Sequence, residues 1–273
     1  MNRWLLLIVS VGGCGVLHAA TPRGVPFYRP RGEVAAKPRQ GQGPVVVNAA
    51  SFLPGVSPGA LATVFGENLS DVTGTVVGGS NPLPTVLAGV SVTVNGFPAG
   101  VFSVAYANGE DQISFQVPWE TPTGPAAADI QVFDYGVLEA TITVDSFSED
   151  PGIFTYDGTY AVAQAADGSL IGPDNPAIAG EVIVLYTTGL GPVTVTPPDA
   201  YAAPFSPLAY TEDPFTVLVN NEPAQVFFSG LTPGFVGLYQ INLTLPADLP
   251  PGDLNIQITS AYASSEVDVL SVR

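Results

Sequence analysis

The chain has 273 residues, of which 46% are hydrophobic and only 11% charged, and its formal net charge is −17. That length accommodates two domains of ordinary size. Six of the seven Lys and Arg residues lie in the first 39 positions, so residues 40–273 set 23 acids against Arg273 alone. A body so acidic repels phosphate backbones and anionic lipid surfaces, which excludes nucleic acid as an expected partner.

The first 20 residues read as a secretory signal: Arg3 supplies the positive start, Trp4 to Leu17 the apolar stretch, and Ala19 and Ala20 the small residues for cleavage. Val11-Gly12-Gly13-Cys14 offers a competing reading in which Cys14 carries a lipid anchor. Both place the protein outside the cytoplasm, secreted, periplasmic or at the cell surface. No later stretch is apolar enough to span a bilayer. Cys14 is the only cysteine, so no disulfide is expected. Residues 21–44 are rich in Pro, Gly and basic residues and read as a linker or tail. The alternative is a basic arm that docks on an acidic body, its own or a neighbour's, and so drives weak self-association.

From Val45 onward apolar and polar residues alternate with period two, as in Val90-Ser91-Val92-Thr93-Val94, Ile113-Ser114-Phe115-Gln116-Val117, Ala140-Thr141-Ile142-Thr143-Val144 and Leu254-Asn255-Ile256-Gln257-Ile258. This predicts half-buried antiparallel strands. Asn95-Gly96, Asp157-Gly158, Asp167-Gly168 and Pro251-Gly252 mark turns between them. No amphipathic helix is evident.

The alternation also repeats as blocks. Pro58 to Phe65 aligns on Ala179 to Tyr186, Pro82-Leu83 on Pro207-Leu208, Val92 to Ala99 on Val217 to Ala224, and Gln112 to Pro118 on Gln240 to Pro246. Each copy is the size of an immunoglobulin-like sandwich. The expectation is therefore an all-β protein of two tandem immunoglobulin-like antiparallel β-sandwiches, spanning 45–148 and 149–273, joined near Ser146–Gly152.

Several segments resemble a known domain family. Val46-Val47-Asn48-Ala49-Ala50-Ser51-Phe52, Ser57-Pro58-Gly59 and Phe65-Gly66-Glu67-Asn68-Leu69 are similar to the opening of the uncharacterised C-terminal domain of secreted Solibacter-type acidobacterial proteins. Gln112 to Trp119, Val184 to Val193 and Pro233 to Gln240 are similar to its later motifs, so the resemblance runs from about Val45 to Arg273. Ser57 to Leu69 also resembles the start of IPT/TIG immunoglobulin-like repeats. The resemblance implies a fold but carries over no catalytic or binding residue, because the family's function is unknown.

The residue inventory narrows the chemistry. His18 is the only histidine, and it lies in the signal segment; Lys37 is the last lysine. This excludes Ser-His-Asp and Cys-His nucleophile systems, His- or Cys-based zinc and copper sites, and a Schiff-base lysine. Paired carboxylates remain available for glycan hydrolysis, with Glu110-Asp111, Glu120, Glu149-Asp150 and Glu212-Asp213 as candidates. No cofactor is expected; the alternative is calcium held by the loop acids Asp157, Asp167 and Asp174, against which Asp-Gly is also simply a preferred turn. Trp119, and Tyr201, Phe205 and Tyr210 in the Pro-rich segment 197–214, are candidate ligand-binding aromatics, since rigidly held rings stack sugars or anchor partners. The competing reading is that these rings roof the sandwich ends or fill the joint between domains. The expected function is a secreted non-catalytic interaction or structural module, its partner an extracellular protein or glycan; the alternative is a carboxylate-dependent glycan-active enzyme or a glycan-binding module.

Overall fold

A computed structural model describes residues 43–273. The signal segment, Cys14, His18 and all but the last two residues of the 21–44 segment lie outside the described residues.

The described chain is all-β. The first half forms β1 (Val45–Asn48), β2 (Leu61–Gly66), β3 (Thr75–Val77), β4 (Val90–Val94), β5 (Phe97–Pro98), β6 (Gly100–Ala107), β7 (Glu110–Gln116), β8 (Gly124–Asp134) and β9 (Val137–Ser146). The second half forms β10 (Gly152–Ile153), β11 (Thr155–Tyr156), β12 (Tyr160–Ala161), β13 (Ala163–Ala165), β14 (Val182–Thr188), β15 (Thr216–Val219), β16 (Glu222–Pro223), β17 (Gln225–Leu231), β18 (Tyr239–Thr244), β19 (Gly252–Thr259) and β20 (Asp268–Val272).

Two sandwiches result. In the first, sheet β1-β2-β7-β6-β3 faces sheet β5-β4-β8-β9. In the second, sheet β10-β14-β18-β17, with β13 also on β14, faces sheet β11-β12-β20-β19-β15-β16. The order β5-β4-β8-β9 recurs as β16-β15-β19-β20, so the aligned sequence blocks occupy equivalent strands. The turn chemistry recurs as well. Asn95-Gly96 closes the β4–β5 hairpin with both residues at positive φ, and Asn220-Asn221 does the same between β15 and β16.

Each sandwich has its own core. Val90, Val92, Val94, Ile113, Phe115, Ile130 and Val132 meet in the first. Val217, Val219, Ile241, Leu243, Ile256, Ile258 and Leu270 meet in the second. Alternation explains these burials, because every second side chain points between the sheets.

Strand β7 departs from simple alternation. Ser114 and Gln116 belong to the polar face, yet they are 7% and 1% exposed. Ser114 is covered on the sheet's outer surface, where its hydroxyl bonds that of Thr63 at 2.9 Å. Gln116 is covered by the second sandwich, whose Ala200 N–H donates to its Oε1 at 2.5 Å. Ser114 is thus satisfied out of water, whereas Gln116 is satisfied at Oε1 only, its Nε2 being buried without a hydrogen-bond partner.

Candidate functional site

The motifs that stand out in the sequence converge where the two sandwiches meet. Asn48, at the end of β1, uses both ends of its amide: Oδ1 accepts from the N–H groups of Ala50 and Ser51, and Nδ2 donates to the carbonyl of Asp150 at 2.7 Å. The Ser148-Glu149-Asp150 linker packs on the Gly189-Leu190-Gly191 turn so closely that a Cβ at either glycine would strike it. Leu61 N–H donates to Thr188 Oγ1, which itself donates to the carbonyl of Gly237. A small apolar cluster of Leu83 from the first half with Ala200 and Val236 from the second seals the same boundary. The two sandwiches are therefore held together by buried hydrogen bonds and packing as well as by the linker.

Trp119 belongs to this joint and not to an open binding surface. Its ring packs against the core of the second sandwich and covers Gly59. Its backbone N–H donates to Asp199 Oδ1 at 2.8 Å, while its indole Nε1 is buried without a hydrogen-bond partner. The expectation of a ligand-binding Trp119 is thus corrected. An apolar ring at the domain boundary gains more by covering the neighbouring core than by facing water.

Tyr201, Phe205 and Tyr210 stand differently: they are 39%, 63% and 46% exposed. Their segment lies along the outer side of β17, the last strand of its sheet. Thr211 N–H bonds Ser229 O, Leu231 N–H bonds Ala209 O, and Ala203 exchanges bonds with Gly234 and Phe235. Backbone pairing thus fixes the loop while leaving the rings in solvent. Tyr210 also rests on Phe228, with centroids 5.1 Å apart, and Phe205 lies against Gly234, which has no side chain to displace it. The bulge in β17 between Val226 and Phe228 leaves Phe227 exposed on this strand, a residue that simple alternation does not flag.

The acidic candidates are dispersed. Asp111 is buried and caps Leu69 N–H and Ser70 Oγ. Asp150 is buried at the joint. Two carboxyl pairs form that no sequence spacing announces. Glu120 hydrogen-bonds Asp199, and burial followed by this contact pushes Asp199 up to about 7. Glu149 is fully buried, accepts from Ser260 Oγ at 2.5 Å and faces Asp213; burial first, then Asp213, pushes it up to about 7. Burial also raises Asp268 to about 7, with Glu266 adding to the effect. Arg273 is the only Lys or Arg among the described residues and is exposed, so a proton is the charge-neutralising partner within these pairs.

The proposed calcium ligands do not form a cage. Asp157 Oδ1 accepts from the N–H groups of Thr159 and Tyr160, and Asp167 Oδ1 from that of Ser169, which spends them on their own turns. Asp174 is exposed and near Tyr156. Among the described residues no three acidic side chains converge as a metal site. No described helix is long and apolar enough to cross a membrane.

No family model matches the chain, and no curated protein does. Among solved structures the chain is similar to SGBP-B of the Bacteroides ovatus mixed-linkage glucan utilization locus, solved with a mixed-linkage heptasaccharide: identity is 15%, coverage 80% of this chain and 44% of that one, and the TM-score 0.30. It is similar to the adhesin InvE of Yersinia pseudotuberculosis at 14% identity, covering 84% of this chain and 58% of that one, with a TM-score of 0.22. It is also similar to the endo-fucoidan hydrolase MfFcnA4 of glycoside hydrolase family 107 at 14% identity, covering 84% and 29%, with a TM-score of 0.16. The chain thus spans less than two thirds of each of these proteins. Likenesses at this level decide neither ligand nor activity.

Proposed function

We propose that this chain is a secreted, non-catalytic interaction module of the Solibacter-type C-terminal family, binding an extracellular glycan or protein through the aromatic segment 197–214. The observation that carries this reading is the combination of solvent-facing Tyr201, Phe205 and Tyr210 with a backbone pinned to β17. Rings that are already ordered lose little conformational entropy on binding, and their apolar faces suit both sugar rings and protein anchors.

The carboxyl pairs support a non-catalytic reading. Glycosidases hold their two acids about 5–9.5 Å apart around the scissile bond. Here the acids of each pair touch, and Glu149 has no solvent access. This closeness and burial support a role in fastening the joint over one in flanking a substrate.

A glycan and surface-protein array tests the proposal. The mature protein should retain a ligand, and Phe205→Ala and Tyr210→Ala should each weaken it about tenfold or more. A ligand bound equally by both variants refutes the assignment of the site. Hydrolysis of a bound glycan, abolished by changing one acid to its amide, refutes the non-catalytic reading.

A further inference from the structure

The internal repeat lets the outer face of one sheet be compared with its counterpart in the other sandwich. Strand register aligns the two. In the first, Leu61 pairs with Gln116, Thr63 with Ser114 and Phe65 with Gln112. In the second, Val182 pairs with Thr244, Val184 with Asn242 and Tyr186 with Gln240. The residues between them, such as Val64 and Phe115 or Ile183 and Leu243, fill the two cores. Both sets of pairs therefore point to the outer face of their sheet. The neighbouring strand is equivalent as well, because β6 bulges at Phe102 and β17 at Phe227.

The two faces differ in how they are covered. On the first, all six paired residues are buried. The second sandwich closes one end of that face: Ala200 N–H bonds Gln116 Oε1, Gly237 lies against Leu61, and Phe102 packs on the cluster of Leu83, Ala200 and Val236. At the other end Phe52 lies against Phe65, with ring centroids 6.2 Å apart. On the second face Val182 is 40% and Phe227 55% exposed, and the other five paired residues are only half-buried. Among the described residues no sandwich covers this face. Tyr210, resting on Phe228, borders it. It is also free of charge. The outward residues of β14, β18 and β17 include no Asp, Glu, Lys or Arg, whereas the outer faces of β8 and β19 expose Asp129 and Asp253.

We propose that this face packs against the same face of a second copy about a two-fold axis, giving a closed homodimer. Three observations select that occupant. First, the equivalent face of the first sandwich is closed by another sandwich of the same fold, so the chain itself shows what such a face packs against. Second, residues 40–273 of each copy set 23 acids against Arg273 alone. Two such bodies repel wherever their acids meet, and an uncharged sheet face is where they can come into contact. Third, the amides on the face are self-complementary. Gln240 Nε2 donates to Asn242 Oδ1 at 2.9 Å, which leaves Gln240 Oε1 as an acceptor and Asn242 Nδ2 as a donor. A two-fold mate presents the same pair in reverse order, so each Oε1 can accept from the Nδ2 of the other copy. Val182, Val184, Tyr186 and Phe227 supply the apolar area around these amides.

Sedimentation of the full mature chain across a salt series tests this. The protein should show a dimer mass, and the dimer fraction should rise with salt, because salt screens the repulsion between the acidic bodies and leaves contact at an uncharged face intact. Val182→Glu and Phe227→Glu should each weaken association about tenfold or more, since the two-fold axis brings two added carboxylates into one interface. Val137→Glu, at a 62% exposed position on β9, should leave association unchanged. Phe205→Ala should leave it unchanged too, so the dimer and the ligand site of segment 197–214 are tested separately. Thermal melts confirm that each variant is folded. A monomer mass at every salt concentration overturns the proposal. So does a dimer that both glutamate variants leave untouched, and so does association that falls as salt rises, which would mark bridging between opposite charges.

Discussion

The six-membered ring of Trp119 lies over Gly59, in the space where a side chain at position 59 would sit. Gly59 also has φ of +76°, a conformation that costs other L-residues free energy. One glycine thus lets a ring from the first sandwich close against the core of the second. Gly59→Ala should destabilise the protein by about 2–4 kcal/mol, combining overpacking with backbone strain. Gly74→Ala is the control, since Gly74 has a similar positive φ but open space around it. It should cost about 1 kcal/mol. Equal losses in chemical denaturation would show that strain alone matters and that the ring contact does not.

Stability should fall as pH rises from about 5 to 8. Glu149, Asp199 and Asp268 are each pushed up to about 7, so the native state holds their protons more tightly than the unfolded chain does. The unfolding free energy then decreases with pH between the ordinary carboxyl range and about 7 and levels off above it. Repulsion within the acidic body acts in the same direction, so variants must isolate the pairs. Glu149→Gln and Asp199→Asn keep hydrogen-bonding groups but do not ionise. Each should flatten the dependence of Tm on pH and raise Tm at pH 8 relative to the parent. A slope unchanged in both variants would assign the effect to general repulsion.

Polar residues on alternating strands should not all behave alike. Gln116→Ala removes the acceptor for the buried Ala200 N–H and should cost about 1–3 kcal/mol. Thr93→Val removes a buried hydroxyl that has no hydrogen-bond partner and should be neutral or stabilising. Phe115→Ala, in the middle of the first core, should cost about 3–5 kcal/mol. Thermal melts of the three variants check the order. If Gln116→Ala is as mild as Thr93→Val, the joint bond contributes little.

The Tyr239 hydroxyl donates to the Gly191 carbonyl at 2.6 Å in a fully buried setting, and burial raises its pKa. Tyr239→Phe leaves that carbonyl without this donor and should cost about 1–3 kcal/mol. The loss should persist at every pH up to about 9, because the phenol stays protonated in this range. A loss that varies between pH 5 and 9 would contradict this assignment.

Much of the fold was legible in the sequence. Period-two alternation and repeated blocks specified antiparallel strands, two sandwiches and most of both cores, because inward burial selects residue type at every second position. Asn95-Gly96 likewise announced its hairpin. What crossed between the sandwiches was not legible. Gln116 reads as a solvent-facing strand residue until Ala200 arrives from 84 positions away, and Trp119 reads as a ligand platform until the second core covers it. Asp199 drew no notice at all, since nothing local links it to Glu120. That the outer edge of β9 beside Thr141 and Thr143 has no strand partner among the described residues emerged only when strand register set it against the edge of β20, which β12 covers. Local pattern determines which face of a strand is apolar. Which polar faces, edges and acids are then removed from water depends on contacts between distant segments, and these exist only once both sandwiches have formed and packed together.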